Sequence, residues 1–219
     1  PRSRACVRVT APPTWVALWL MPRLPMFARD APQVQVEVDA SFDVIDLEAQ
    51  GFDVGIRYAQ SLPTHFKSVP LFEQTYVPVC TPELAQRIRR LADLAGQRLL
   101  HETDSSRWAA WMAAAGANQG DPAADRAVAK GLYFSHGTLA VNAALSGMGI
   151  ALTEPSFLAQ GEPKPKLVQP LPFRWSTGNR YHAVWSSRTP LSPAARVFLD
   201  WLKVQALSAR QQFAGDSCA

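Results

Sequence analysis

The feature that most constrains this sequence is the alternation of short apolar strands with helical segments. Val7–Thr10 and Val34–Val38 alternate apolar and polar residues, as does the stretch 52–58, and this is the pattern of β-strands. A helical pattern from about Thr14 to Arg29 separates the first two strands, and a shorter one at 43–51 separates the next two. Because strand–helix–strand repeats favour a parallel sheet with right-handed crossovers, we predict an α/β fold.

The remainder of the chain repeats this theme as a second α/β unit. Further strands are predicted at 74–80, 98–102, 131–135, 149–153 and 180–187, and further helices at 105–116 and 137–147. A loop is predicted at 120–124, and an exposed stretch rich in Pro and Lys at 161–166. The chain therefore contains two units of similar kind.

Local signals predict where the helices begin, bend and end. Pro22 lacks a backbone donor and is expected to kink the first helix. The short helix is expected to begin at Asp43 as its N-cap and to end just before Gly51. Thr81 and Ser192 each precede a proline, which predicts a capped helix start. The last helix has an apolar face, formed by Ala194, Val197, Phe198, Trp201 and Leu202.

Composition excludes several classes of protein. With 47% apolar and 18% charged residues among 219, the chain is globular rather than disordered. No apolar run reaches the roughly 18 residues of a membrane span. The basic N-terminus has no apolar region of a signal peptide behind it, and the three scattered cysteines form no metal or disulfide pattern. We therefore expect a cytoplasmic protein without metal or cofactor.

Enzyme signatures are missing from the sequence. The segment around Ser146 has no glycine two positions before the serine, so it is not a nucleophile elbow. The glycines of 147–149 follow a helix rather than a strand, which excludes a dinucleotide loop. The four histidines have no paired spacing, and adjacency alone does not make Ser135 and His136 a catalytic pair. We expect no enzymatic activity.

Polar residues open helices after three of the predicted strands. They are Pro13 and Thr14 after the first strand, Ser41 and Asp43 after the second, and the segment 135–138 in the second unit. In open α/β sheets, ligands bind at the carboxyl ends of strands, where helix N-termini offer donors. Ordinary helix capping explains any one of these sites as well. Three such sites in two units favour a ligand-binding cleft.

Five segments of the chain carry a combined signal through their order and spacing: "WLMPRLPMFARDAPQVQVEV", "DLEAQGFDVGIRY", "YVPVCTPEL", "GTLAVNAALSGMGIAL" and "RVFLDWL". Together they resemble the effector-binding domain of LysR-type transcriptional regulators, most closely the branch of the glycine-cleavage and β-lactamase regulators. The resemblance covers about Val7 to Leu202. It implies a periplasmic-binding-protein-like fold of type 2, in which two Rossmann-like subdomains, 1–75 with 184–219 and 76–183, are joined by two crossover strands.

The resemblance also implies a binding site for a small polar effector between the subdomains. Its residues, by position, are Pro13, Thr14, Trp15, Ser41, Asp43, Asp46, Ser135, His136, Gly137 and Tyr181. This chain departs from the family at two places. Tyr58 stands where relatives often have Gly, which is expected to narrow the cleft, and His136 stands where some relatives have a small hydroxyl residue. Asp43 and Asp46 suggest an effector with a positive group, such as an amino acid or peptide.

The predicted function is therefore effector sensing in a bacterial regulator. The family implies a homodimer or homotetramer, and DNA contact only through a winged helix-turn-helix domain, which we expect to be absent because only six residues precede the first strand. A free-standing solute-binding protein of the same fold is the alternative. It would require an export signal and usually has a longer chain.

Overall fold

The computed structural model describes residues 5–43, 46–117, 131–158 and 166–215. In chain order, its strands are β1 Ala5–Ala11, β2 Val34–Ala40, β3 Val54–Ala59, β4 Phe66–Val79, β5 Leu99–Glu102, β6 Gly131–Phe134, β7 Ile150–Thr153 and β8 Trp175–Ser186. Its α-helices are α1 Pro13–Trp15, α2 Leu24–Asp30, α3 Pro82–Ala85, α4 Ser106–Ala114, α5 Gly137–Leu145 and α6 Pro193–Gly215. None of these helices is long and apolar enough to cross a membrane.

The chain forms two compact units. The first unit comprises Pro1–Gln74 and Gly178–Ala219, and the second comprises Thr75–Thr177. Both boundaries fall inside strands, since β4 and β8 each run from one unit into the other. These two strands begin earlier than the sequence predicted, at Phe66 rather than at 74 and at Trp175 rather than at 180.

The first unit has its strands in the order β2, β1, β3, β8. β2 and β3 pair in parallel with β1, and β8 pairs antiparallel with β3. The register places Ala11, the last residue of β1, beside Ala40, the last residue of β2. As a result, the segments that follow these two strands start at the same edge of the sheet.

The predicted first helix is interrupted near Pro22, as expected, but more completely than by a kink. A π-helical turn at Val16–Leu20 follows α1, and a turn at 21–23 separates it from α2. The backbone N–H of Met21 donates to the Val16 carbonyl, 2.9 Å away. Because π-turns are rare and are frequent at functional sites, this irregularity singles out the segment after β1.

The predicted helix at 43–51 is wrong for the residues that the structure describes there. Residues 47–51 form turns, and Asp43 is not an N-cap. Instead, the carboxylate of Asp46 accepts the backbone N–H groups of Glu48 (3.0 Å) and Ala49 (3.2 Å). Gly51 closes the segment at φ +69°, a conformation that favours glycine. The local capping signal therefore acts three residues later than predicted.

The second unit has its strands in the order β4, β7, β5, β6, with β5 parallel to both neighbours. Two indoles of α4 organise its core: Trp108 donates to the carbonyl of Leu100 at 3.1 Å, and Trp111 donates to that of Tyr76 at 3.3 Å. The predicted cap of α3 is confirmed, because the Thr81 hydroxyl accepts the Leu84 N–H. The loop predicted at 120–124 and most of the stretch 161–166 lie outside the described residues.

Candidate functional site

The polar edge of the first unit lies where β1 and β2 end. The Ser41 N–H donates to the carbonyl of Ala11 across 2.9 Å. This bond ties the segment after β2 to the residues that lead into α1. The structure thus places Ser41 beside the end of β1, two residues before Pro13 in the chain.

Thr14 is not the N-cap of α1. Pro12 occupies that position without a side-chain cap, and Thr14 is the second residue of the helix. The Thr14 hydroxyl is buried and has no hydrogen-bond partner. Because buried polar groups are nearly always paired, a buried hydroxyl without a partner is an exception that calls for a physical explanation, and helix capping does not supply one.

An aromatic row links α1 to β8 within the first unit. Trp15 stacks on Trp19 at 4.7 Å between ring centroids. Trp19 contacts Phe72 at 5.7 Å, and Phe72 contacts Tyr181 at 5.1 Å. Tyr181 also packs against the half-exposed Tyr58, its partner in the β3–β8 register. Trp15 and Tyr181, both predicted site residues, are therefore buried members of one packed row.

The segment 41–43 has two further ties. The Asp43 N–H donates to the Ser41 hydroxyl at 3.0 Å, and the Arg57 guanidinium donates to the Asp43 carbonyl at 2.9 Å. Asp43 itself is exposed, so its carboxylate is accessible to a ligand. Asp46 differs, because its carboxylate caps its own turn.

The second unit presents its predicted residues where β6 ends and α5 begins. His136 is the N-cap of α5 in an extended conformation, and its side chain makes no cap hydrogen bond. Its Nδ1 lies 2.7 Å from the Ser135 hydroxyl oxygen, so these neighbours do form a hydrogen-bonded pair. Gly137, the first residue of α5, is buried. The three predicted residues form one continuous polar turn.

Sequence reasoning left Thr138 and Thr103 out of its site list, although both lie close to this turn. Thr138 follows Gly137, and its hydroxyl is buried without a partner, as that of Thr14 is. Thr138 belonged to the polar segment that opens this helix, which was the available signal. Thr103 has φ +66°, and no other non-glycine residue in the described part of the chain has a positive φ. Its N–H donates to the Phe134 carbonyl at 2.7 Å. Such strain clusters at functional sites.

The charged groups near this turn are held by local contacts. Arg107 forms an ion pair with Glu102, and its guanidinium lies 4.7 Å from the centre of the Tyr76 ring. The Asp104 carboxylate accepts hydrogen bonds from the hydroxyl and the N–H of Ser106, and these bonds lower the pKa of Asp104. Among the described residues, no group of three or more His, Cys, Asp or Glu side chains is placed to hold a metal.

Comparison with known proteins places the chain in a family. The model of the LysR substrate binding domain matches residues 2–206. The HTH-type transcriptional activator AmpR of Citrobacter koseri is 32% identical over 199 residues, which are 91% of this chain and 67% of that protein. AmpR of Rhodobacter capsulatus is 31% identical over 208 residues, which are 93% of this chain and 68% of that protein. The chain spans about two thirds of the length of these relatives.

Solved structures agree with this assignment. The effector domain of AmpR of Pseudomonas aeruginosa superposes with a TM-score of 0.76 at 26% identity, covering 96% of this chain and all of that one. The regulatory domain of CrgA from Neisseria meningitidis has a TM-score of 0.70 at 20% identity, covering 93% and 100% of the two chains. These matches confirm the predicted periplasmic-binding-protein-like fold of type 2.

The family decides between the alternatives that the sequence left open. Its effector domains are not enzymes, which agrees with the prediction made from the missing signatures. The named relatives are transcriptional regulators and not free-standing solute-binding proteins. This chain belongs to the LysR family and is the effector-binding domain of a LysR-type transcriptional regulator.

Proposed function

We propose that this domain binds a small polar effector through the hydroxyl and backbone N–H groups at the starts of α1 and α5. The observation that carries the proposal is the Thr14 hydroxyl, which is buried without a partner. The Thr138 hydroxyl, at the equivalent second position of α5, is also buried without a partner. Leaving such a group unpaired costs roughly 1–3 kcal/mol, which a polar effector atom would recover.

The chemistry of the edge supports an amino acid or a peptide as the effector. The first N–H groups of a helix have no partner inside it and attract anions such as a carboxylate. The exposed carboxylate of Asp43 would pair with an ammonium group. Asp46 has the smaller part, because its carboxylate already accepts two backbone N–H groups. The interdomain cleft that the resemblance implies stays a prediction, as does the contribution of Ser41, Ser135, His136 and Tyr181.

Membership of the family also supports a proposal about the complete regulator. We propose that it acts in the cytoplasm as a homodimer or homotetramer, and that it contacts DNA through an N-terminal winged helix-turn-helix domain. Effector binding to the present domain would then be transmitted to that reader domain. The named relatives, which are HTH-type transcriptional activators, support this organisation.

The Thr14→Val variant tests the site directly. Free amino acids and alanyl dipeptides are first screened for those that raise the melting temperature of the wild-type chain. Isothermal titration with the strongest of these compounds should then show an affinity about tenfold to a hundredfold lower for Thr14→Val, since an unpaired buried effector group costs roughly 1–3 kcal/mol. Valine keeps the shape of threonine and removes its hydroxyl.

The exposed Thr64 supplies the control, and Thr64→Val should bind like the wild type. A lowered melting temperature with unchanged affinity in Thr14→Val would show that the hydroxyl serves only the fold. If no compound of the panel raises the melting temperature, the amino-acid-like class of effector is wrong.

A further inference from the structure

Arg57 of β3 makes an unusual set of hydrogen bonds in the first unit. Its Nη1 donates to the carbonyl of Ile56 at 2.7 Å and to that of Thr10 at 3.3 Å. Its Nη2 donates to the Asp43 carbonyl at 2.9 Å and lies 3.5 Å from the Thr10 hydroxyl. One side chain therefore contacts β3, β1 and the segment after β2.

These contacts lie at the polar edge of the first unit, where the proposed effector-binding residues also lie. Thr10 is fully buried and lies near the end of β1, four residues before Thr14. Asp43 is exposed and belongs to the segment 41–43, whose other contacts include the Ser41 bond to Ala11 and the bond from the Asp43 N–H to the Ser41 hydroxyl. Because β1 lies between β2 and β3, the guanidinium reaches from β3 across the end of β1 to the segment that follows β2.

The chemistry of these acceptors favours arginine over lysine. The hydrogen bonds described for Arg57 go to three carbonyls and one hydroxyl, and none goes to a carboxylate. The planar guanidinium offers several N–H groups in a fixed geometry, so it serves acceptors on separate segments at once. Lysine would offer a compact ammonium on a flexible stem and could not reproduce this fork.

We propose that Arg57 is a positioning residue that holds the segment 41–43 in its effector-binding conformation. It acts through the Asp43 carbonyl and Thr10, without touching the effector. Burial lowers the pKa of Arg57, and the negative charges of Asp39 and Asp43 oppose this shift. This inference rests on the proposed function in one respect, namely that Ser41 and Asp43 contribute to effector binding; the fixing of the segment is independent of any effector.

Hydrogen–deuterium exchange of the purified full chain, without any ligand, tests whether Arg57 holds the segment 41–43 in place. Arg57→Met should raise the exchange rate of peptides covering 41–43 about tenfold or more, since this segment loses a charge-assisted bond. Peptides from β5, β6 and α5 should exchange at the wild-type rate. Arg57→Lys should give an intermediate rate at 41–43, because it keeps the charge and loses the fork.

Arg180→Met is the matched control on the neighbouring strand β8. Arg180 forms an exposed ion pair with Glu73 at 2.7 Å, so its loss should leave exchange at 41–43 unchanged. Unchanged exchange at 41–43 in Arg57→Met would overturn the proposal. So would a uniform increase across the first unit that matches the fall in stability measured by urea unfolding, because Arg57 would then be merely structural. If Arg57→Met does not fold, wild-type exchange at 41–43 in Arg57→Lys would overturn it.

The effector part is tested separately. Titration of Arg57→Met with the amino acid or dipeptide selected by the thermal screen should show at least a tenfold loss of affinity. A different outcome is accelerated exchange at 41–43 in Arg57→Met with an unchanged affinity for that compound. This result would mean that Arg57 holds the segment but that the segment does not bind the compound. That result would overturn the role of Arg57 in effector binding. A failure of Thr14→Val to weaken binding would instead contradict the proposed effector site.

Discussion

At the scale of single residues, His101 is the group whose environment has the clearest consequence. Only 1% of its surface is exposed, and neither ring nitrogen has a hydrogen-bond partner. The ring stacks on Tyr133 at 4.5 Å, and Gly131 leaves the space for it, since a Cβ there would lie 2.3 Å from the ring. Burial lowers the pKa of His101, while the Asp104 charge opposes this shift.

This environment predicts how stability depends on pH. The folded state disfavours the imidazolium, so the unfolded chain binds its proton first as the pH falls below about 6.5. We therefore expect the free energy of unfolding, measured by urea denaturation, to decrease as the pH is lowered from about 8 to about 5.5. Burial also lowers the pKa of His182, which acts in the same direction.

A variant isolates the contribution of His101. His101→Phe keeps the stacking on Tyr133 and removes the titrating group, so the decrease between these pH values should become smaller. An equal pH dependence in His101→Phe and the wild type would contradict the assignment.

At the scale of elements, the cap of α6 also contacts the residue that precedes β3. The Ser192 hydroxyl accepts the Ala195 N–H at 3.1 Å, which confirms the predicted cap, and lies 3.4 Å from an Asp53 carboxylate oxygen. Beyond the cap, Phe198 and Trp201 pack on Phe27 of α2 at 5.4 and 5.1 Å between ring centroids.

Ser192→Ala should lower the free energy of unfolding by about 1 kcal/mol in urea titrations. Ser192→Thr should retain most of it, and an Ala variant as stable as the wild type would show that the cap contributes nothing.

At the scale of the whole molecule, the proposed self-association has a surface that can be tested. Leu139 and Leu145 of α5 are 46% and 40% exposed, and Met148 just beyond the helix is 42% exposed. An isologous contact between two copies could cover these side chains. We expect sedimentation velocity to show a dimer or a larger species, and Leu139→Glu to shift it toward the monomer. Val204→Glu on α6 is the control at a similarly exposed apolar position. A wild-type chain that remains monomeric at high concentration would contradict the proposal.

The sequence alone was sufficient for features that depend on neighbouring residues. The alternation of strands and helices, the caps at Thr81 and Ser192 and the interruption near Pro22 are all local. Each depends on backbone geometry or on a hydrogen bond within a few residues, and such contacts can be predicted from spacing. The helix predicted at 43–51 failed because two acidic residues, Asp43 and Asp46, both suit a cap, and the chain uses the second.

Only the tertiary structure decided which polar groups are satisfied and which are not. The Thr14 and Thr138 hydroxyls lack partners because of packing that spacing does not reveal. Arg57 lies 47 residues from Thr10 and 14 from Asp43, so its bridge exists only once three strands are aligned. The sequence by itself determined the family and the order of elements, because these depend on local patterns along the whole chain. The burial and pairing of individual side chains depend on contacts between distant segments, and the fold alone decides them.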